Sequence, residues 1–296
     1  MPGLKEVRIR IASVKSTQQI TNAMKMVAAS KFRKAQTAII KLRPYAGKLR
    51  EILQNITAGS DPSADNVYAQ SRKQEKILLI IIASNRGLCG AFNSNVIKAS
   101  CKLLVTDYQD QLAKGTVSLI TIGRKATEFF RKRKYPVIES PDDLFDHLTF
   151  NNVAPLAEKL MKAYAAKEYD RIDLVYNQFK NAAVQRLVVE QFLPITQNAP
   201  APAAPTSHVE NDYIFEPPRK IMVQELIPKT LRIQLFKALL DSFASEQGAR
   251  MTAMQKATDN AKDLLRDLNI SYNKARQNAI TNAILEIVSG AEALKG

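Results

Sequence analysis

The chain has 296 residues, 46% of them hydrophobic, and carries 43 Lys or Arg against 28 Asp or Glu for a formal net charge of +15. That length suits about two domains with a real core, and no run reaches the ~18 consecutive apolar residues of a membrane span. Two cysteines (Cys89, Cys101) make no disulfide framework, and two distant histidines (His147, His208) leave no zinc-type site.

In chain order, a long helical seam comes first. Leu4, Val7, Ile11, Val14, Ala28, Phe32, Ala35, Ile39, Leu42, Ala46, Leu49, Leu53 and Ile56 share one spacing of alternating 3 and 4. Gln18, Thr21 and Lys25 are the polar residues that complete the frame. Steps averaging 3.5 residues wind helices into a left-handed supercoil. One helix over residues 4–56 spans about 80 Å at 1.5 Å per residue, which suits a shaft or spacer better than a small core. The first fifty residues hold twelve bases and one acid, Glu6. Such a helix needs acidic surroundings: nucleic acid, anionic lipid or acidic protein loops.

Asp61–Asp65 reads as a loop leaving that helix. Lys76–Ser84 is then an apolar strand of the parallel, doubly covered type. Thr116–Gly123, Arg171–Phe179 and Leu187–Ile195 read as further strands. Asn93–Ala113, Arg124–Arg133 and Val153–Lys167 read as the helices between them. This alternation predicts a small three-layer α/β domain with right-handed crossovers. Arg86-Gly-Leu-Cys-Gly90 joins a strand to a helix, where anions often bind. It lacks Gly-Lys-Ser/Thr and the dinucleotide glycine spacing, so it reads as a tight turn with Cys89 buried in it. Asn198–Ser207 is a Pro/Ala connector.

After Pro228 a second long helix follows, with Met254, Ala257, Ala261, Leu264, Leu268, Tyr272, Ala275, Ala279, Ala283 and Ile287 at steps of 3 or 4. The fold class predicted is mixed α/β: a long antiparallel left-handed coiled coil of the N- and C-terminal helices, with an inserted Rossmann-like α/β domain. The expected parts are residues 1–60 as the N-terminal coiled-coil helix and 72–197 as the insert. Residues 198–212 form the connector and foot, and 213–296 the C-terminal segment and long helix.

Three segments carry a family resemblance. They are Ile11-Ala-Ser-Val-Lys-Ser-Thr-Gln-Gln-Ile-Thr-Asn-Ala-Met-Lys-Met-Val-Ala-Ala-Ser-Lys31, Ser84-Asn-Arg-Gly-Leu-Cys-Gly-Ala-Phe-Asn93, and Ala244–Ala261 followed by Tyr272–Gln277 and Glu286–Gly290. Together, and in this order, the chain resembles the gamma-subunit family of F-type ATP synthases. The resemblance implies a non-catalytic central rotor without cofactor or metal. Its expected partners are a hexamer of three alpha and three beta subunits, the epsilon subunit and the membrane c ring, with one copy per complex and no nucleic acid. It also implies peripheral attachment at the cytoplasmic face of a bacterial plasma membrane.

Carried over by matching position, Met24, Lys25, Met26, Glu246, Arg250, Arg276, Gln277 and Thr281 are expected to contact beta subunits. Tyr213, Phe215 and Glu216 are expected to form the foot on the c ring and epsilon. Lys25 departs from the acid that relatives often carry there, and Asn85 from their Asp. Read from pattern alone, the polar residues of the last helix are equally a solvated face, and Tyr213 and Phe215 equally pack against the insert. The reading from another class is a basic coiled-coil nucleic-acid binder, favoured by the charge but lacking any recognition motif or aromatic platform.

Overall fold

The computed structural model describes residues 4–57, 67–70, 72–182, 184–195 and 219–293. The chain divides into two compact units, Met1–Ala29 with Arg250–Gly296, and Ser30–Ala249. The Pro/Ala connector and the Asp61–Asp65 loop lie outside the described residues.

The first unit pairs the part of one long helix up to Ala29 with the part of another from Arg250 on, the rest of both helices belonging to the second unit. The N-terminal helix α1 covers Leu4–Thr57 and the C-terminal helix α6 covers Arg219–Ala293. Every seam position of α1 from Leu4 to Leu49 is buried or half-buried, while nearly all the residues between are exposed. Lys25 is half-buried and Ala28 is 1% exposed. Thr258 Oγ1 donates to Thr21 Oγ1 at 2.9 Å, which fixes the register in this unit. Counting 17 residues back from Thr21 reaches Leu4, where α1 begins; counting 17 forward from Thr258 reaches Ala275, the last residue of α6 that is even half-buried. Burial that ends at both places together requires the helices to run antiparallel.

Two details of the C-terminal seam differ from expectation. Leu264 is 40% exposed, and Leu265 takes the inward place. Ala279, Ala283 and Ile287 are exposed because, among the described residues, α1 has nothing beyond Leu4 to cover them. α6 also starts before Pro228 and runs through it. A proline inside a helix costs about 3 kcal/mol, offset here by burial of Ile227 and Leu231 at 4% and 1% exposure. Each fully buried side chain of that size contributes about 1.5–3 kcal/mol.

The second unit is built on a five-stranded sheet. Its strands are β1 (Ile77–Ile82), β2 (Val117–Ile122), β3 (Val137–Glu139), β4 (Arg171–Phe179) and β5 (Gln185–Leu193), in the order β3-β2-β1-β4-β5. β1 pairs parallel with β2 and β4, and β2 with β3, while β5 runs antiparallel to β4. Alternation along β1 sorts the two cores. Ile77, Leu79 and Ile81 pack under α2 (Phe92–Thr106) and α4 (Arg124–Lys132). Leu78, Ile80 and Ile82 pack with α5 (Phe150–Ala165) and the Ile227–Leu239 stretch of α6.

The predicted helix Asn93–Ala113 is broken. α2 stops at Thr106 and a short α3 runs Gln109–Ala113. Tyr108 causes the break: its ring is 3% exposed and its hydroxyl donates to the buried Asp173 carboxylate, which Arg171 Nε also reaches at 3.0 Å. Turning that ring inward takes the backbone out of helical geometry at Tyr108. The three-residue β3 and the 3₁₀ turn Asp142–Phe145 had no sequence signal.

Candidate functional site

The strand-to-helix turn after β1 is closed by its own side chains. Ser84 N–H donates to Asn93 Oδ1 at 3.0 Å, and Asn93 Nδ2 donates to Cys89 Sγ at 3.2 Å. Cys89 is 2% exposed, as the turn reading expects. Leu88 and Gly90 take positive φ values of 63° and 61°, the left-handed region that tight turns need. Asn85 bonds across this turn in two directions. Its Oδ1 accepts from Arg124 N–H at 3.2 Å at the start of α4, and its Nδ2 donates to the Asp142 carbonyl at 3.0 Å. An aspartate at this position keeps the first bond and loses the second.

In an open α/β sheet, ligands enter where strand order reverses, outside the carboxyl ends of the strands. Here that place lies between β1 and β4, and it is filled by protein. Asn177 on β4 is 2% exposed and donates to the Phe92 carbonyl at 3.3 Å; Ser245 of α6 donates to the Asn177 carbonyl at 3.1 Å. Among the described residues no group of three or more His, Cys, Asp or Glu is placed to hold a metal, and no helix is long and apolar enough to cross a membrane.

The residues expected to meet partners lie in different settings. In the first unit Met24 and Lys25 are half-buried and Met26 is 61% exposed. Arg276, Gln277 and Thr281 are exposed, with the Thr281 hydroxyl bonded back to the Gln277 carbonyl at 3.0 Å. Arg250 is buried at 8% exposure, and Glu246, in the second unit, at 6%. Neither of those two belongs to a solvated face. Tyr213, Phe215 and Glu216 lie outside the described residues.

Sequence reasoning missed two features. One is the apolar end of α6, where Ile280, Ile284, Leu285, Ile287 and Val288 are between 49% and 72% exposed. Of these, only Ile287 stands in the predicted inward seam; the other four carry no sequence expectation. The other is Asp241, fully buried in the second unit, with Arg43 Nη2 at 3.6 Å. Arg43 also donates to the Phe179 carbonyl at 2.9 Å. Burial pushes the Asp241 carboxyl up to about 6, against the pull of Lys237 and Arg43. An acid within the otherwise apolar run Leu239-Leu240-Asp241 was the available signal.

Comparison with known proteins puts these features in a family. A family model described as ATP synthase matches residues 3–294. The ATP synthase gamma chain of Cytophaga hutchinsonii is 51% identical over 294 residues, covering 99% of each chain. That of Flavobacterium psychrophilum is 54% identical over 297 residues, covering all of both. In fold, the chain resembles one from the Euglena gracilis mitochondrial ATP synthase structure of OSCP, F1 and c ring, with a TM-score of 0.66 at 21% identity over 98% of this chain and 94% of that one. A chain from the Tetrahymena thermophila central stalk and c ring gives 0.57 at 24% identity over 80% and 99%. With half of all positions shared along its whole length, the chain belongs to the ATP synthase gamma-chain family.

Proposed function

We propose that this chain is the central-stalk rotor subunit of a proton-translocating F-type ATP synthase. It couples rotation of the membrane c ring to conformational cycling of the catalytic beta subunits, and supplies no catalytic group itself. The observation that carries this reading is the antiparallel helix pair whose far end exposes the apolar Ile280, Ile284, Leu285, Ile287 and Val288. A monomer gains nothing from such an end, whereas a shaft seated in a surrounding sleeve does.

Torque transmission then works by population shift. An asymmetric shaft touches each beta subunit differently, so its angle selects which beta conformation is stable. Met24, Lys25, Met26, Arg276, Gln277 and Thr281 are the proposed contacts along the helix pair. Glu246 and Arg250, being buried, act by holding the surface that beta meets. Tyr213, Phe215 and Glu216 are proposed as the foot on the c ring and epsilon. Functionally, residues 1–60 and 213–296 form the shaft, 72–197 the body, and 198–212 the connector. The chain is taken to sit peripherally on the cytoplasmic face of a bacterial plasma membrane. The family match leaves the nucleic-acid reading without support.

Native mass measurement of the purified complex tests this. One gamma chain per three beta chains is expected, with a single epsilon. Equal numbers of gamma and beta chains overturn the central-shaft reading.

A further inference from the structure

Surface charge in the second unit is segregated between its two helical layers. α4 and the two residues after it carry Arg124, Lys125 and the run Arg131–Lys134, and the neighbouring α2 adds Lys98 and Lys102. The only acid on either stretch is Glu128, and Lys125 Nζ already neutralises it at 2.7 Å. α2 and α4 share one core on the same face of the sheet. Apart from the half-buried Lys125, all these bases are exposed. Among the described residues Lys98, Lys102, Lys132 and Lys134 have no ion-pair partner. The opposite layer differs. On α5, Glu158 pairs with Arg232 at 3.0 Å and Lys159 with Glu139 at 2.7 Å, which leaves Lys162 as its one charge without an ion-pair partner among the described residues.

Apolar groups are interleaved with the bases. The Arg133 guanidinium lies 3.8 Å from the centre of the Phe129 ring. Val105 and Ile138, which follow the basic stretches of α2 and α4, are 55% and 53% exposed. Uncompensated like charge on adjacent helices is unfavourable unless an opposite charge approaches.

We propose that the α2/α4 layer docks against the anionic headgroups of a lipid bilayer. Clusters of four to eight Lys and Arg bind anionic leaflets, because each long side chain reaches a headgroup while its stem stays on the protein. Two helices side by side on one sheet face suit an extended charged plane, and exposed Val105 and Ile138 suit its interfacial zone. The exposed aromatic platform that single-stranded nucleic acid needs is lacking, since Phe129 is covered by Arg133. This surface is distinct from the shaft, so the proposal stands independently of the torque contacts.

The test is flotation of the purified full-length chain with vesicles. Binding is expected to phosphatidylglycerol/phosphatidylcholine vesicles, to fall with added salt, and to be absent on pure phosphatidylcholine. Replacing Lys98, Lys102, Lys132 and Lys134 by Gln is expected to weaken it on the order of 1,000-fold. Replacing Lys15, Lys31, Lys34 and Lys41 of α1 by Gln, the same change of charge, is expected to weaken it only a few-fold. Circular dichroism checks that both variants keep their helix content, and vesicle-induced amide protection is expected on residues 98–106 and 124–134. Equal losses in the two variants, protection confined to α1, equal binding to neutral vesicles, or no binding at all overturns the proposal.

Discussion

Asp241 shows how one side chain makes a packed interface respond to pH. Both its oxygens are buried without a hydrogen bond, and Arg43 at 3.6 Å is too far to supply a good one. Its carboxyl sits at about 6 in the folded chain against roughly 4 when unfolded. The folded state therefore holds the proton more tightly. Stability is highest near and below pH 4, falls as pH rises to about 6, and is level above that. Asp241→Asn removes the titration while keeping the shape. It is expected to flatten the melting temperature between pH 4 and 6, and to stabilise the chain at neutral pH by up to about 3 kcal/mol. Thermal unfolding of both proteins across that range checks this; parallel curves would mean that the carboxylate is compensated.

Among the elements, α6 serves three purposes along its length, and packing separates them. From Leu231 to Arg250 nearly every residue is buried or half-buried, because α1 and the sheet both pack on this stretch. From Met254 to Ala275 a single stripe is covered, and beyond it every described side chain is exposed. Substitutions should follow the same gradient. Leu268→Ala removes a side chain that is 9% exposed, and should cost about 2–5 kcal/mol. Ile284→Ser and Ile287→Ser together should stay within about 0.5 kcal/mol each for the free chain, yet weaken its assembly into the complex. Chemical unfolding of the free chain beside a reconstitution assay separates the two effects. A large loss of stability from the Ile pair would mean that this end is packed after all.

For the molecule as a whole, coupling is the property to measure. Arg276 and Gln277 are exposed and touch no core, so they are cleaner probes than the buried Arg250. Replacing both by Ala should leave helicity unchanged and lower ATP synthesis in membrane vesicles, with hydrolysis less affected. Normal synthesis with intact assembly would reduce them to a solvated face. Much of this architecture was legible in the chain itself. The 3–4 spacing marked the α1 seam residue by residue, because a helix can bury only one stripe against one partner. The apolar run Ile77–Ile82 marked the central strand, because a parallel strand is covered on both faces. The burial of Cys89 also followed from a turn too tight for larger chemistry. What tertiary structure alone decided was where partners end and who fills a gap. The inward place of Leu265 depends on the register set by Thr21 and Thr258. The exposure of α6 past Ala275 depends on α1 having, among the described residues, nothing before Leu4 to cover it. The break at Tyr108 and the burial of Asp241 depend on groups 65 and 198 residues away in sequence, Asp173 and Arg43. Local periodicity reports which face of an element turns inward, but only the assembled fold determines what meets that face.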